Sequence, residues 1–335
     1  MATFIVLGAG AMGTAMSHIL ASNGYDVLMW ARRKEVANNI NQKKINIEYM
    51  PNLILPPKVK ATSNLEKCLE GSNRIVCAIP SHSVNELCLK LSKYDLSKKL
   101  WLSVIKGMDL NCRCTISQYL QHQLPIKEDE ITVLSGPNFA IEIVENTPTI
   151  GVLGSKSRSA ASVFCEALTT EHFLIESTDD LIGVEIGGVL KNIGAIAIGS
   201  IDGLNLGDNT RGLIFSRYMQ EVWEVGIKVF RVKEETLLGP ACLGDMITTA
   251  FSYKSRNRII GLLASKCIAN IPKHTFIAEG KNNTQMIKEL AHEYRINVPV
   301  TEFVDSVLTS MKPYIAFNNL WKKLKEEITE KNRND

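Results

Sequence analysis

No sign of charge dominates this 335-residue chain, in which 38 lysines and arginines face 35 aspartates and glutamates. A surface so balanced has no broad basic footprint, so no nucleic-acid partner is expected and any anion site must be local. Cys-x-x-Cys spacing is also missing. The eight cysteines, at positions 68, 77, 88, 112, 114, 165, 242 and 267, are scattered, which argues against a zinc or redox motif. They read as reduced, mostly buried thiols, with Cys112 and Cys114 falling incidentally at a helix start, and no metal site is expected. A basic n-region with a long apolar stretch and cleavage site is absent, and no apolar run reaches the length of a membrane span. No membrane insertion is therefore expected, and the cytosol is the expected compartment. Nor is there a compositional bias toward disorder, collagen or coiled coil, with 45% apolar and 22% charged residues, 22 glycines and 11 prolines. The length suggests two ordinary domains.

What is present divides near residue 178. Short apolar, β-branched runs at Thr3 to Leu7, Asp26 to Trp30, Ile75 to Ile79, Trp101 to Ile105 and Ile131 to Leu134 alternate with amphipathic stretches. That alternation is the mark of βαβ units around a mainly parallel sheet. Pro148 to Leu153 and His172 to Ile175 could extend it. From Asp179 the apolar period becomes helical, as in Val184, Val189, Leu190 and Ile193 and again over Leu213 to Val229. Pro299 reads as a helix start, and the Lys/Glu-rich tail from Trp321 as a solvated helix end. An α/β Rossmann-type doubly wound domain over 1–178 and an all-α domain over 179–335 are predicted.

Gly8-Ala9-Gly10-Ala11-Met12-Gly13 directly follows the first strand and opens an apolar-periodic helix. Gly8 permits a tight turn, Gly10 lets the backbone approach a pyrophosphate, and Gly13 lets helix and strand pack closely. The helix start, with Ala11 and Met12, offers amide donors and the positive end of a dipole. In this context the pattern predicts dinucleotide binding. An acid that would hold a ribose 2′-hydroxyl is missing where the second strand ends, at Trp30-Ala31-Arg32-Arg33. Two adjacent arginines suit a 2′-phosphate, so NADP(H) is expected to be accepted or preferred, with NAD(H) possible. Alternatively they are solvated charges, with Glu35 as the ribose partner.

Lys191 interrupts the apolar, small-residue run Gly183 to Ile193. Desolvation would make such a lysine a proton donor or acceptor near neutral pH; on an isolated helix it would snorkel to solvent. Further segments follow at Asp202 to Arg211, Leu243-Gly244-Asp245-Met246-Ile247-Thr248-Thr249 and Ser255-Arg256-Asn257-Arg258. Together with Ile105-Lys106-Gly107, Ser135-Gly136-Pro137-Asn138-Phe139-Ala140 and Ala278-Glu279-Gly280, these resemble the NAD(P)-dependent glycerol-3-phosphate dehydrogenase family, in order from residue 4 to about residue 310.

The resemblance implies a 6-phosphogluconate-dehydrogenase-like architecture and hydride transfer between a nicotinamide and dihydroxyacetone phosphate or sn-glycerol 3-phosphate. It makes Lys191 the general acid/base and Lys106 the group that polarises the ketone oxygen. Asp245 and Thr249 would support Lys191 or bond substrate hydroxyls. Ser255, Arg256 and Asn257 would grip the phosphate, which suits a planar bidentate donor. Gly136, Asn138 and Ala140 match a loop touching substrate and cofactor, Lys106 and Arg256 also neighbour the cofactor, and Ile277 and Glu279 match distal cofactor contacts. A homodimer serving glycerophospholipid precursor supply is the family expectation. Asp245 could instead only cap a helix. The competing readings are a relative acting on another small phosphorylated or carboxylated ketone, and a cofactor sensor without turnover.

Overall fold

The computed structural model describes residues 3–266, 279–309 and 312–334. They fall into two compact units, Met1–Glu185 and Ile186–Asp335. The first is built on an eight-stranded sheet. Its strands are β1 (Thr3–Leu7), β2 (Asp26–Trp30), β3 (Val59–Thr62), β4 (Arg74–Cys77), β5 (Leu100–Ser103), β6 (Ile131–Ser135), β7 (Thr149–Ser155) and β8 (Phe173–Thr178). They lie in the order β8-β7-β6-β5-β4-β1-β2-β3. All neighbours are parallel except β6 and β7. Phe4, Ile5, Val6 and Leu7 are all fully buried, as an unbroken apolar run must be when helices cover both faces of a sheet. Chain order reverses at β1, with β2 on one side and β4 on the other, and the glycine turn leaves the carboxyl end of that strand. Open α/β sheets bind ligands at such a switch point.

Several local expectations are adjusted. The strands expected to reach Ile79 and Ile105 end at Cys77 and Ser103, and the two candidate extensions are β7 and β8. Edge strand β3 and a hairpin of Ile45–Asn46 with Met50–Ile54 were not predicted. Their residues are mixed polar and apolar, since an edge strand need bury only part of its surface. Cys112 and Cys114 correct the expectation of reduced thiols. Cys112 lies in the turn, and Cys114 opens the second strand, of a small antiparallel pair, Met108–Asp109 with Cys114–Thr115; their Cα atoms are 5.3 Å apart and they form a disulfide. Cys68, Cys77, Cys88 and Cys242 are buried free thiols and Cys165 is half-buried; Cys267 lies outside the described residues.

The second unit is helical. The boundary falls within the 23-residue helix Leu181–Gly203, in which an 18-residue stretch has a mean hydropathy of 1.6 and is 94% buried inside the protein. Contrary to the expectation that no run reaches the length of a membrane span, this helix is long and apolar enough, and its burial makes it a core helix. Close approach explains its glycines. A Cβ on Gly199 would lie 1.9 Å from the Arg258 carbonyl oxygen, and one on Gly261 would lie 2.1 Å from that of Ile196. Helices Leu181–Gly203 and Arg256–Ser265 therefore touch backbone to backbone. Around them lie Gly207–Lys228, Asp245–Phe251, Glu279–Glu293, Pro299–Leu308 and Pro313–Asn334. Pro299 starts its helix as predicted.

Candidate active site

In the first unit the glycine turn is shaped by contacts that allow no side chain. Gly8 has a φ of +115°, and its Cβ would sit 2.5 Å from the Ala78 carbonyl oxygen; a Cβ on Gly13 would meet that of Gly8 at 2.0 Å. Both positions therefore require glycine. Gly10 differs, because nothing lies within 4 Å of where its Cβ would be. Open space there, at the start of helix Ala11–Ser22, whose first turn carries no acid and no side-chain cap, fits the pyrophosphate of a dinucleotide. Ala11 and Met12 are half-exposed at this helix start.

Asn46, missed in the sequence, clamps the turn. It is 1% exposed, and its Nδ2 donates to the Ala9 carbonyl at 2.9 Å and to Thr14 Oγ1 at 2.8 Å. It is one of several asparagines in a polar stretch, so nothing in the sequence distinguishes it. Arg32 and Arg33 lie beyond β2 and both are exposed. Arg32 is 3.9 Å from Glu86, and Arg33 pairs with Glu48 of the hairpin. The hydrogen bond and charge of Glu48 hold the Arg33 guanidinium above its ordinary range. Glu35, the alternative ribose partner, sits in the first turn of helix Lys34–Lys43.

At the carboxyl ends of β5 and β6 the structure brings Lys106, Gly136 and Asn138 together. Lys106 Nζ donates to Asn138 Oδ1 at 3.1 Å and to the Gly136 carbonyl at 3.4 Å. Gly136 has a φ of +133°, with the Ile150 carbonyl oxygen 2.8 Å from its would-be Cβ, so only glycine bends the loop this way. Thr149 Oγ1 donates to the Pro137 carbonyl and pins the loop. Ala140 begins the following short helix.

The second unit gathers Lys191, Asp245 and Thr249. Lys191 is 8% exposed, Asp245 1% and Thr249 4%. Lys191 Nζ donates to Asp245 Oδ1 at 2.5 Å. Thr249 Oγ1 donates to the Asp245 backbone carbonyl at 2.6 Å and lies 3.3 Å from its Oδ1. Asp245 is thus an ion-pair partner inside the protein, and no side-chain cap accompanies its helix. The Tyr218 hydroxyl donates to the Leu190 carbonyl at 2.6 Å, next to the lysine. Its own pKa is pushed well up, first by burial. Asn257 Nδ2 donates to Asn192 Oδ1 at 2.7 Å; Asn192 was passed over although it follows Lys191 directly in an apolar run.

Ser255, Arg256 and Asn257 begin helix Arg256–Ser265. Ser255 Oγ accepts from the Arg258 amide as its N-cap, and Arg256 is exposed. Arg258 is occupied elsewhere, in a 2.5 Å pair with Asp202 and stacked over Tyr253 at 4.2 Å. Arg211 also pairs with Asp202, at 2.5 Å, and so serves as a structural ion pair. Ile277 lies outside the described residues, and Glu279 begins helix Glu279–Glu293.

A dinucleotide turn in one unit and an interior lysine paired to a carboxylate in the next define a nicotinamide-dependent oxidoreductase. Residues 3–161 match the N-terminal region, and residues 180–318 the C-terminal region, of NAD-dependent glycerol-3-phosphate dehydrogenase. The chain belongs to that family. A Lysinibacillus sphaericus protein named glycerol-3-phosphate dehydrogenase [NAD(P)+] is 35% identical over 331 residues, covering 97% of this chain and 98% of its own length. Its counterpart from Clostridium tetani is 35% identical over 309 residues, with coverages of 91% and 87%. The crystal structure of the Coxiella burnetii glycerol-3-phosphate dehydrogenase superposes with a TM-score of 0.88 at 31% identity, covering 96% of this chain and 98% of that one. A ketopantoate reductase from Ralstonia eutropha, at 15% identity and a TM-score of 0.58, shares the fold alone.

Proposed function

We propose that this chain interconverts dihydroxyacetone phosphate and sn-glycerol 3-phosphate with NADPH or NADH. Within the family match, the observation that carries the reading is the Lys191–Asp245 pair, a cation and an anion kept almost out of water. Burying charge is costly unless it is paired, and a pure cofactor binder gains nothing from the arrangement. The bound nicotinamide supplies or accepts the hydride. Lys191 holds a proton at Nζ and delivers it to the substrate's carbonyl oxygen in the reductive direction, and takes it back in the oxidative one. Asp245 orients that ammonium, and Thr249 holds Asp245. Lys106, steadied by Asn138 and Gly136, orients the substrate. Arg256 and Asn257 grip the phosphate with the Ser255 hydroxyl, whose oxygen caps the helix and which keeps an O–H to donate. The glycine turn holds the pyrophosphate, and Arg32 and Arg33 receive a 2′-phosphate.

Cytoplasmic location, assembly as a homodimer and supply of glycerophospholipid precursors complete the proposal. The test is oxidation of NADPH and of NADH at 340 nm against a panel of dihydroxyacetone phosphate, unphosphorylated dihydroxyacetone and small 2-keto acids. Turnover confined to the phosphorylated ketone is expected. Turnover with a keto acid and none with dihydroxyacetone phosphate would replace the substrate assignment, and NADPH binding without turnover on any ketone would replace the enzyme by a sensor.

A further inference from the structure

Outside the substrate machinery, the first unit gathers three metal-ligating side chains. Cys112 Sγ, Cys114 Sγ and a ring nitrogen of His122 all lie within 4.8 Å of one another. Among the described residues no other trio of His, Cys, Asp or Glu does so. We propose that these three residues form a redox-gated site for a thiophilic divalent cation of the zinc class, closed to metal as the disulfide and open to it as the dithiol.

The scaffold that holds the ligands is built independently of them. Asp109 pairs with Cys114 across the hairpin, and Asp109 Oδ1 accepts from the backbone amides of Asn111 at 2.9 Å and Cys112 at 3.0 Å. Arg113, between the two cysteines, adopts a left-handed φ of 54°. His122 lies on helix Ile116–Gln123, which starts at once after the hairpin with a Thr115–Gln118 capping box. Glu185 holds the same helix start, accepting from the Ser117 amide at 2.9 Å and the Ser117 hydroxyl at 2.5 Å. Hairpin and helix are therefore fixed relative to each other without any bond between the ligands.

The three atoms are close enough to converge on a single ion once the sulfurs part. Tetrahedral zinc with Zn–S near 2.3 Å and Zn–N near 2.0 Å needs ligand atoms about 3.4–3.8 Å apart. Breaking the Sγ–Sγ bond lets the two sulfurs separate to about that spacing. Three protein ligands leave a fourth position for water, as in an open zinc site. A staple for the fold is a poor alternative reading of the disulfide, since a cross-link between residues only two apart restricts the unfolded chain little. The four buried thiols are weak competitors. Burial pushes the Cys68, Cys77, Cys88 and Cys242 thiols up to about 12, whereas Cys112 and His122 are exposed.

The exchange balances with an external dithiol as the reductant. Its two thiols give two electrons and two protons to the disulfide, Cys112 and Cys114 become thiols, and the reductant leaves as its own disulfide. Metal binding then releases both thiol protons to solvent as two thiolates and a neutral imidazole coordinate.

The test uses the whole protein, oxidised and dithiol-reduced, freed of reductant under nitrogen and titrated with Co²⁺. The reduced protein should take up one equivalent with a near-ultraviolet thiolate-to-cobalt band that Zn²⁺ bleaches, and the oxidised protein none. Cys112→Ser should lose the band while still binding NADPH, and His122→Ala should weaken cobalt binding. No band in the reduced protein, or a band that survives Cys112→Ser, would overturn the proposal. The oxidised and reduced comparison needs no variant, so a folding defect in either substitution leaves the test intact.

Discussion

Lys191 and Asp245 form a charged pair in an interior where each alone would carry a large desolvation cost. Removing either takes from the other its buried opposite charge. Asp245→Asn should lower kcat and also destabilise the protein by about 3–5 kcal/mol, read as a drop in Tm beside the rate assay. The arginines after β2 stand at the opposite extreme, exposed and paired only with surface acids. A 2′-phosphate can take their place as partner because solvent already screens those pairs. Arg33→Ala should weaken NADPH binding about tenfold and NADH far less, as measured by cofactor fluorescence; equal losses would reject the 2′-phosphate role. Lys191 and the glycines were legible in the sequence because their types violate the local pattern, a cation in an apolar run and three glycines after a strand. Asn46 was not, since an asparagine's identity carries no trace of the loop it will meet across 37 residues.

Elements carry their own chemistry. Helix Pro299–Leu308 begins on a buried carboxylate: Glu221 accepts from the Val300 amide at 2.5 Å and from the Thr301 amide and hydroxyl at 3.0 and 2.7 Å. Burial is the main cause that pushes the Glu221 carboxyl from 4.5 up to about 8. The folded protein therefore holds a proton that the unfolded chain releases at lower pH. Glu221's contribution to stability is full below pH 4.5 and is lost as the pH rises to about 8. Glu221→Gln should flatten the fall in Tm across that window, and an unchanged slope would show that this carboxyl does not titrate there. Close helix contact gives a second check. Gly199→Ala would drive a methyl into the Arg258 carbonyl and should cost about 3 kcal/mol or more, with Tm lower by roughly 6 °C or more. Periodicity revealed helix Leu181–Gly203 but could not show that it is buried all round, because that depends on which helices surround it. Strand β3, a four-residue edge with alternating burial, offered too short and too polar a run to stand out. The Cys112–Cys114 bond was equally hidden, since it follows from a hairpin turn whose partner strands are two residues each.

For the molecule as a whole, the cofactor turn belongs to one unit and the lysine pair to the other. The account therefore separates into a binding claim and a chemical claim that can be measured apart. The mainly parallel sheet and the helical second unit were legible in the alternation of sequence periods, since each period reflects how many faces of an element are covered; strand order and the switch point depend on pairing between distant segments and were not. Assignment of the substrate rests instead on side chains scattered from Lys106 to Asn257, which only the family pattern gathers into one reading. The most direct test is the paired measurement of kcat with dihydroxyacetone phosphate and of the NADPH dissociation constant for Lys191→Ala. The account predicts that kcat falls by about 10²–10⁴-fold while the NADPH dissociation constant stays close to that of the unaltered protein. Unchanged turnover in a correctly folded variant would contradict it.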